Sequence, residues 1–206
     1  MRFTEDRNMN TLALNIRMHG KLVVIVGGGA VALRKLLTLQ TTGASLRVVA
    51  MNIHPEIVEF ERSRALEIRV GSYVAGDLDK AFMVIAATDN TLVNRQVLDD
   101  AHERGILAVV ADDPAAGDCT FPAILRRGDL EIAVSTGGRC PTFAVDVRGR
   151  IAEYIGSEYG AILDQLAEER EKLLTNGSSS TYNTRVLRSH AERLLAELSE
   201  SKGSLP

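Results

Sequence analysis

The sequence predicts an α/β fold: a doubly wound parallel sheet, then a small β region, then a helical C-terminal tail. Three observations predict it. Short apolar runs rich in β-branched residues alternate with helical segments between residues 22 and 113. The runs Leu22–Val26 and Phe82–Ala87 are apolar at successive positions, which marks strands buried on both faces. The alternation stops after Pro114, where two strand-like runs and several helices follow.

Leu22–Val26 is a β-branched run ended by glycines and reads as a buried parallel strand. Val31, Leu33, Leu36, Leu37 and Leu39 predict a helix from Ala30 to Gln40, stopped by Gly43. Leu46–Ala50 is a second strand. His54-Pro55 opens a charged helix through about Arg64, with the proline suited to its first turn. Leu66–Val70 and Phe82–Ala87 are the third and fourth strands. Thr91–Arg104 is a helix ended by Gly105, and Ile106–Val110 is the fifth strand. Right-handed crossovers should connect them.

Beyond Pro114, Phe121–Arg126 and Leu130–Ser135 read as strands joined by Arg127-Gly128-Asp129, a tight-turn sequence. Helices are expected at Pro141–Ile155 and Ile162–Leu174. Thr175–Asn183, rich in Ser and Asn, reads as a linker. In the last helix Leu187, Ala191, Leu194, Leu195 and Leu198 fall on one stripe. The expected division is residues 1–113, 114–150 and 151–206. A two-stranded hairpin cannot bury both its faces alone, and the last helix needs cover for its stripe. Both point to a second copy of the chain.

Composition narrows the function classes. The chain has 206 residues, 45% hydrophobic and 25% charged, which suits a soluble globular protein with a real core. A net charge of −3 gives no basis for bulk binding to nucleic acid or to an anionic membrane. The longest apolar run, Leu22–Val26, is too short to span a bilayer. Met1–Asn10 is polar and does not read as a signal peptide, so a cytoplasmic location is expected. Cys119 and Cys140 form no CxxC motif, and His19, His54, His102 and His190 show no ligand spacing. No metal site is expected.

Gly27-Gly28-Gly29-Ala30-Val31-Ala32 reads as GxGxxA between a strand and a helix, the context of a Rossmann-type dinucleotide site. Gly27 permits the tight turn, Gly29 lets a pyrophosphate approach the backbone, and Ala32 replaces the third glycine at the helix–strand contact. The free N–H groups of Ala30 and Val31 would then face the phosphates. The second strand ends in Met51-Asn52, where an acidic residue for the ribose hydroxyls is usual. Asn52 offers a neutral partner instead. With no carboxylate there to repel a 2′-phosphate, NADP stays open beside NAD. Arg47 is the nearest cation.

Several segments together resemble the precorrin-2 dehydrogenase family, also found as the N-terminal part of siroheme synthases. Val26 to Lys35 is similar to its "VGGGxVAxRK" opening. Ala86-Ala87-Thr88-Asp89-Asn90 with Val93-Asn94 is similar to "AATxxxxxN". Val109 to Pro114 is similar to "NVxDxP", and Phe121-Pro122-Ala123 and Ile132 to Gly138 complete the set. The likeness covers about residues 12–155 in order. Met51-Asn52 departs from the family's proline and acid, and Ala108 from its usual asparagine.

The resemblance implies NAD-dependent oxidation of precorrin-2 to sirohydrochlorin. It also implies a strand-sharing homodimer, with residues 114–150 as the dimerisation region. It makes Asp112, just past the fifth strand, the catalytic carboxylate. Thr88 and Asp89 would lie on the nicotinamide side, although Asp89 or Asn90 would also serve as a helix N-cap. The implied substrate is a tetrapyrrole polycarboxylate, so its pocket should be locally basic. Arg126, Arg127, Arg139, Arg148 and Arg150 cluster in sequence, and arginine binds both oxygens of a carboxylate. The turn containing Thr136 and Gly137 could hold a carboxylate through its N–H groups. Thr136, Gly137 and Arg139 are therefore the candidate substrate contacts.

Two alternatives stand beside this reading. Some members of the family also insert iron into sirohydrochlorin as ferrochelatases. In a different class, a non-catalytic dinucleotide-sensing domain would favour an acid after the second strand and lack an edge carboxylate like Asp112. The chain shows the opposite on both counts.

Overall fold

The computed structural model describes residues 11–63, 66–175 and 180–203. It divides into two compact units, Met1–Phe121 and Pro122–Pro206.

The first unit is an open sheet of five parallel strands. Its elements are β1 (Leu22–Val26), α1 (Ala30–Leu39), β2 (Ser45–Ala50), α2 (Pro55–Ser63), β3 (Leu66–Val70), β4 (Ala81–Ala86), α3 (Thr91–Glu103) and β5 (Leu107–Val110). The strand order is β3-β2-β1-β4-β5. From β1 the chain moves one way across the sheet, and from β4 the other. Crossovers of one hand therefore place α1 and α2 on one face and α3 on the other.

The continuous apolar runs supply both cores at once. Val23, Ile25, Leu46, Val48, Met83 and Ile85 pack with Leu33, Leu36 and Leu39 of α1 and with Ile57 of α2. The alternate residues Val24, Val26, Val49, Val84, Ala86 and Val110 pack with Val97, Leu98 and Ala101 of α3. Leu36 and Ile85 are fully buried; each such side chain contributes roughly 1.5–3 kcal/mol. The predicted end of α2 at Arg64 lies outside the described residues.

A short 3-10 helix, Ala75–Leu78, was not expected from the sequence. It buries Asp77, whose carboxylate pairs with the guanidinium of Arg69 on β3 and accepts a hydrogen bond from the Val74 N–H at 2.9 Å. Arg47 donates to the Asp77 carbonyl at 2.9 Å and pairs with Glu67 on the neighbouring strand at 2.9 Å. The 3-10 helix thus clamps the edge strand β3 to β2.

The second unit begins with an antiparallel pair, β6 (Ala123–Arg127) and β7 (Leu130–Val134), in the register Ala123↔Val134. Gly128 takes the left-handed conformation, φ 57°, in the two-residue turn. Leu130, Ile132 and Val134 are half-buried while Glu131 and Ala133 are exposed, the alternation of a strand with one covered face. The helices are α4 (Pro141–Tyr154), α5 (Glu158–Thr175) and α6 (Ser180–Gly203).

Two differences from the sequence reading have physical causes. Helix α5 starts at Glu158 rather than Ile162 and takes in Gly160, which packs against the hairpin turn. A Cβ there would lie 2.7 Å from the Arg127 carbonyl oxygen. Residues 180–183, read as linker, belong to α6. The Thr184 hydroxyl donates to the Ser180 carbonyl at 2.9 Å, a back-bond that lets such residues sit inside a helix. Residues 176–179 of the expected linker lie outside the described residues.

Candidate active site at the carboxyl edge of the sheet

The strands β1 and β4 are neighbours, and the chain leaves them in opposite directions. Open α/β sheets form their ligand crevice at such a point, beyond the carboxyl ends of the strands. The loops after β1, β2, β4 and β5 all emerge at this edge, since the strands are parallel.

The three loop glycines do different work. Gly27 has φ 127°, and a Cβ there would lie 2.3 Å from the Ala87 carbonyl oxygen. Its N–H donates to Val49 O at 2.9 Å. A Cβ on Gly28 would lie 2.1 Å from the Asn52 carbonyl oxygen, and Gly28 O accepts from the His54 N–H at 2.8 Å. The phosphate loop is thereby laced to the segment after β2, main chain to main chain. At Gly29 a Cβ would meet nothing within 4 Å.

Gly29 is the N-cap of α1 and makes no side-chain cap bond, and the first turn holds no acid. The first helical bond is Leu33 N–H to Gly29 O at 3.0 Å. The N–H groups of Ala30, Val31 and Ala32 are therefore without helical acceptors, at the positive end of the helix dipole. Open space before unpaired donors is a cradle for phosphate. Ala32 is fully buried against the sheet, where a larger side chain would separate helix from strand.

Beyond β2, Met51 is 68% exposed and Asn52 is also exposed. Arg47, the cation considered for this region, is committed to Glu67 and Asp77 O.

Beyond β4 and β5 lies a connected polar group. The Thr88 N–H donates to Asn94 Oδ1 at 3.1 Å, and the Thr88 hydroxyl donates to the same oxygen at 2.7 Å. Asn94 Nδ2 donates to Thr88 O at 3.1 Å and to Asp112 Oδ1 at 2.9 Å. Asn94 is 1% exposed, on the first turn of α3. Asp112 itself is exposed, and its Oδ2 has no protein partner among the described residues. The group thus presents one anchored and one free carboxylate oxygen at the edge. Of the two candidate caps for α3, Asn90 serves: its Oδ1 accepts from the N–H groups of Leu92 and Val93 at 3.0 and 3.3 Å. Asp89 is exposed in the turn before it.

Asn94 is the residue that sequence reasoning passed over. It shares a helical stripe with Val97, Leu98 and Ala101, all buried. A polar residue in an otherwise apolar stripe was the available signal.

Lys35, from the same opening motif, lies with its Nζ 4.1 Å from the centre of the Phe121 ring. Burial, and then the charge of Arg34, hold its amine below the ordinary lysine range. It joins α1 to the end of the unit rather than to the loop.

Thr136, Gly137 and Arg139 belong to the second unit. Their turn spends several of its own donors. The N–H groups of Gly137 and Cys140 bond to the hydroxyls of Ser135 and Thr136, each at 3.1 Å. The Arg139 N–H bonds to Thr136 O at 3.2 Å. The basic cluster also divides. Arg127 Nε donates to Ile155 O at 2.7 Å, closing the end of α4, and Arg126 pairs with Glu131 at 2.8 Å. Arg139, Arg148 and Arg150 have no ion pair among the described residues. No group of three or more His, Cys, Asp or Glu that could hold a metal ion occurs among the described residues. No described helix is long and apolar enough to cross a membrane.

The siroheme synthase of Azotobacter vinelandii (strain DJ / ATCC BAA-1303) is 42% identical over 154 residues, which is 75% of this chain and 33% of that protein. The siroheme synthase of Pseudomonas fluorescens (strain Pf0-1) is 39% identical over 165 residues, 80% of this chain and 36% of that protein. The chain thus spans about a third of the length of the curated relatives it matches. Among solved structures, SirC, a precorrin-2 dehydrogenase, superposes with a TM-score of 0.75 at 23% identity. The match covers 92% of this chain and 100% of that one, and shows a shared fold. The profile of a family described as putative NAD(P)-binding matches residues 14–123, more than half of the chain and nearly all of the first unit. The chain belongs to this putative NAD(P)-binding family.

Proposed function

We propose that the chain oxidises precorrin-2 to sirohydrochlorin with NAD, in siroheme biosynthesis. The observation that carries the reading is the Asp112 carboxylate. One oxygen is held at 2.9 Å by buried Asn94 and the other is free, at the same sheet edge as the open glycine loop. The names of the siroheme synthases and of SirC support the choice of substrate.

The residues present fit a dinucleotide. The space before Gly29 and the uncapped N–H groups of α1 suit the pyrophosphate. Met51 and Asn52 lie where the adenosine ribose would rest, with Thr88 and Asp89 towards the nicotinamide. When bound, the nicotinamide supplies the hydride acceptor. Conversion to sirohydrochlorin removes one hydride and one proton from the macrocycle. Asp112 Oδ2 takes the proton, while Oδ1 stays bonded to Asn94. The carboxylate also steadies positive charge that develops on the ring as hydride leaves. Arg139, which has no ion pair among the described residues, binds a substrate carboxylate beside the turn of Thr136 and Gly137.

The division of labour follows. Residues 1–113 hold the cofactor, 114–150 form the dimerisation region, and 151–206 form the helical region. A homodimer is supported by the two-stranded sheet and by α4, where Phe143 is 59% and Tyr154 75% exposed. The protein acts in the cytoplasm.

Anaerobic absorbance of the purified protein with precorrin-2, with and without NAD, tests the function. NAD-dependent sirohydrochlorin formation that collapses in Asp112→Ala is expected, with NADP run alongside. Absence of turnover by intact, NAD-binding protein would sink the reading. Sedimentation equilibrium tests the dimer, and a monomer at micromolar concentration removes it.

A further inference from the structure

We propose that Asn94 is a positioning residue that fixes the orientation of the Asp112 carboxylate for proton transfer. This rests on the role given to Asp112 above.

The direction of the Asn94 amide is set by its partners. The Thr88 N–H can only donate, so the atom 3.1 Å from it is Oδ1. The Thr88 carbonyl can only accept, so the atom 3.1 Å from it is Nδ2. The side chain grips both backbone polar groups of Thr88, as a neighbouring strand would. One Nδ2 hydrogen remains, and it points to Asp112 Oδ1 at 2.9 Å.

All the bonding capacity of the amide is used. Oδ1 receives the Thr88 N–H and hydroxyl, and Nδ2 gives its two hydrogens to Thr88 O and Asp112. At 1% exposure it has neither surface nor a donor for a ligand. It can act on a reaction only through what it holds.

Asp112 depends on that hold. It lies in an irregular segment past the end of β5, exposed, and Asn94 is its side chain's partner among the described residues. Without the Nδ2 donor the carboxylate is free to sample other staggered rotamers. Loss of position by about 1 Å can cost up to about 100-fold in rate. Asn94 itself is anchored from below, because α3 begins at the cap Asn90 and packs through Val97 and Leu98. The helix, through one amide, thereby joins the loop after β4 to the carboxylate after β5.

The test is a double-mutant cycle. Asn94→Asp keeps the shape and keeps an acceptor for Thr88, but turns an oxygen toward Asp112. Asn94→Ala removes the donor without adding charge, and carries the same cycle where the aspartate variant does not fold. Each is made in the native background and in Asp112→Asn. The expected result is a kcat for precorrin-2 oxidation lower by about 10- to 100-fold, with KM for precorrin-2 and Kd for NAD changed less than about threefold. In the Asp112→Asn background the second substitution should cost less than about twofold more, since what Asn94 positions is already gone. Equal losses in both backgrounds, or a loss carried by KM or by NAD affinity, overturn the proposal.

A crystal structure of Asn94→Ala gives a readout that needs no turnover. The Asp112 carboxylate should spread over rotamers there and keep one in the native protein. An unmoved carboxylate overturns the proposal. Native protein that does not oxidise precorrin-2 removes the functional reading alone, and the crystal structures still decide what Asn94 holds.

Discussion

Replacing the loop glycines one at a time by alanine separates folding from dinucleotide binding. At Gly27 the new Cβ would enter a positive-φ backbone, 2.3 Å from Ala87 O. The backbone conformation alone costs roughly 1–2 kcal/mol, and displacing main chain adds roughly 1–3 kcal/mol. A loss of about 3 kcal/mol lowers Tm by about 6–12 °C for a chain of this size. At Gly28 the obstacle is steric, Asn52 O at 2.1 Å, and a cost of about 1–3 kcal/mol is expected. At Gly29 nothing lies within 4 Å, and φ is −89°, ordinary for any residue. The stability cost there is that of alanine at an N-cap, below about 1 kcal/mol.

The order reverses for function. A methyl at Gly29 occupies the approach to the N–H groups of α1. Losing one charge-assisted hydrogen bond of roughly 1.5–3 kcal/mol weakens Kd by about 10- to 100-fold. Calorimetric titration with NAD, alongside thermal melts, reads both quantities. The reasoning is refuted if Gly29→Ala binds NAD as the native protein does, or if Gly27→Ala melts with it.

Three further outcomes follow from the structure. Asn90→Ala removes the bonds to the Leu92 and Val93 N–H groups and should lower the urea stability of the first unit by about 1 kcal/mol; no change would mean that water caps α3 equally well. Tyr73 donates to Asp100 at 2.8 Å, and burial first, then that bond, raise its phenol above the ordinary range. The folded state therefore resists deprotonation, so its contribution is present below the unfolded tyrosine value of about 10 and is lost as pH rises beyond it; Tyr73→Phe should flatten the alkaline limb of a stability-versus-pH curve. Cys140 is exposed, whereas Cys119 is half-buried with its thiol raised by burial and then by Asp118. A thiol reagent at pH 8 should show a fast and a slow phase, the fast one absent from Cys140→Ser.

Strands β1 and β4 were legible because double-sided burial writes itself as consecutive apolar residues, Leu22–Val26 and Ala81–Ala86, whereas the edge strand β3 alternates apolar and charged residues. The glycine loop could be located because it lies between a strand and a helix, whereas Asp112 was singled out by the family resemblance. What stayed hidden depends on tertiary partners. Ala75–Leu78 has no periodicity, and Asp77 gains meaning only beside Arg69. The first turn of α5 holds Gly160, whose missing side chain answers to the hairpin turn and not to its own helix, so local sequence carries little signal for it. Asn94 stood within a quoted motif, yet its work depends on Thr88 and Asp112, 6 and 18 residues away. The basic cluster was read as one group, whereas Arg126 and Arg127 serve the hairpin and the end of α4.

The lacing of Gly28 to residues 52–54 bears on how cofactor choice can change over generations. Both contacts, Asn52 O against Gly28 and His54 N–H to Gly28 O, are made by backbone atoms. The side chains of Met51 and Asn52 take no part in them and lie exposed. If Met51 and Asn52 meet the adenosine ribose, as proposed above, substitution there would leave the backbone contacts to Gly28 standing while it redraws what the ribose meets. An aspartate introduced there selects against a 2′-phosphate, and an arginine selects for it. The loop separates the part of the site that must be kept from the part that is free to drift, so preference between the two nicotinamide cofactors can be exchanged without refolding the domain.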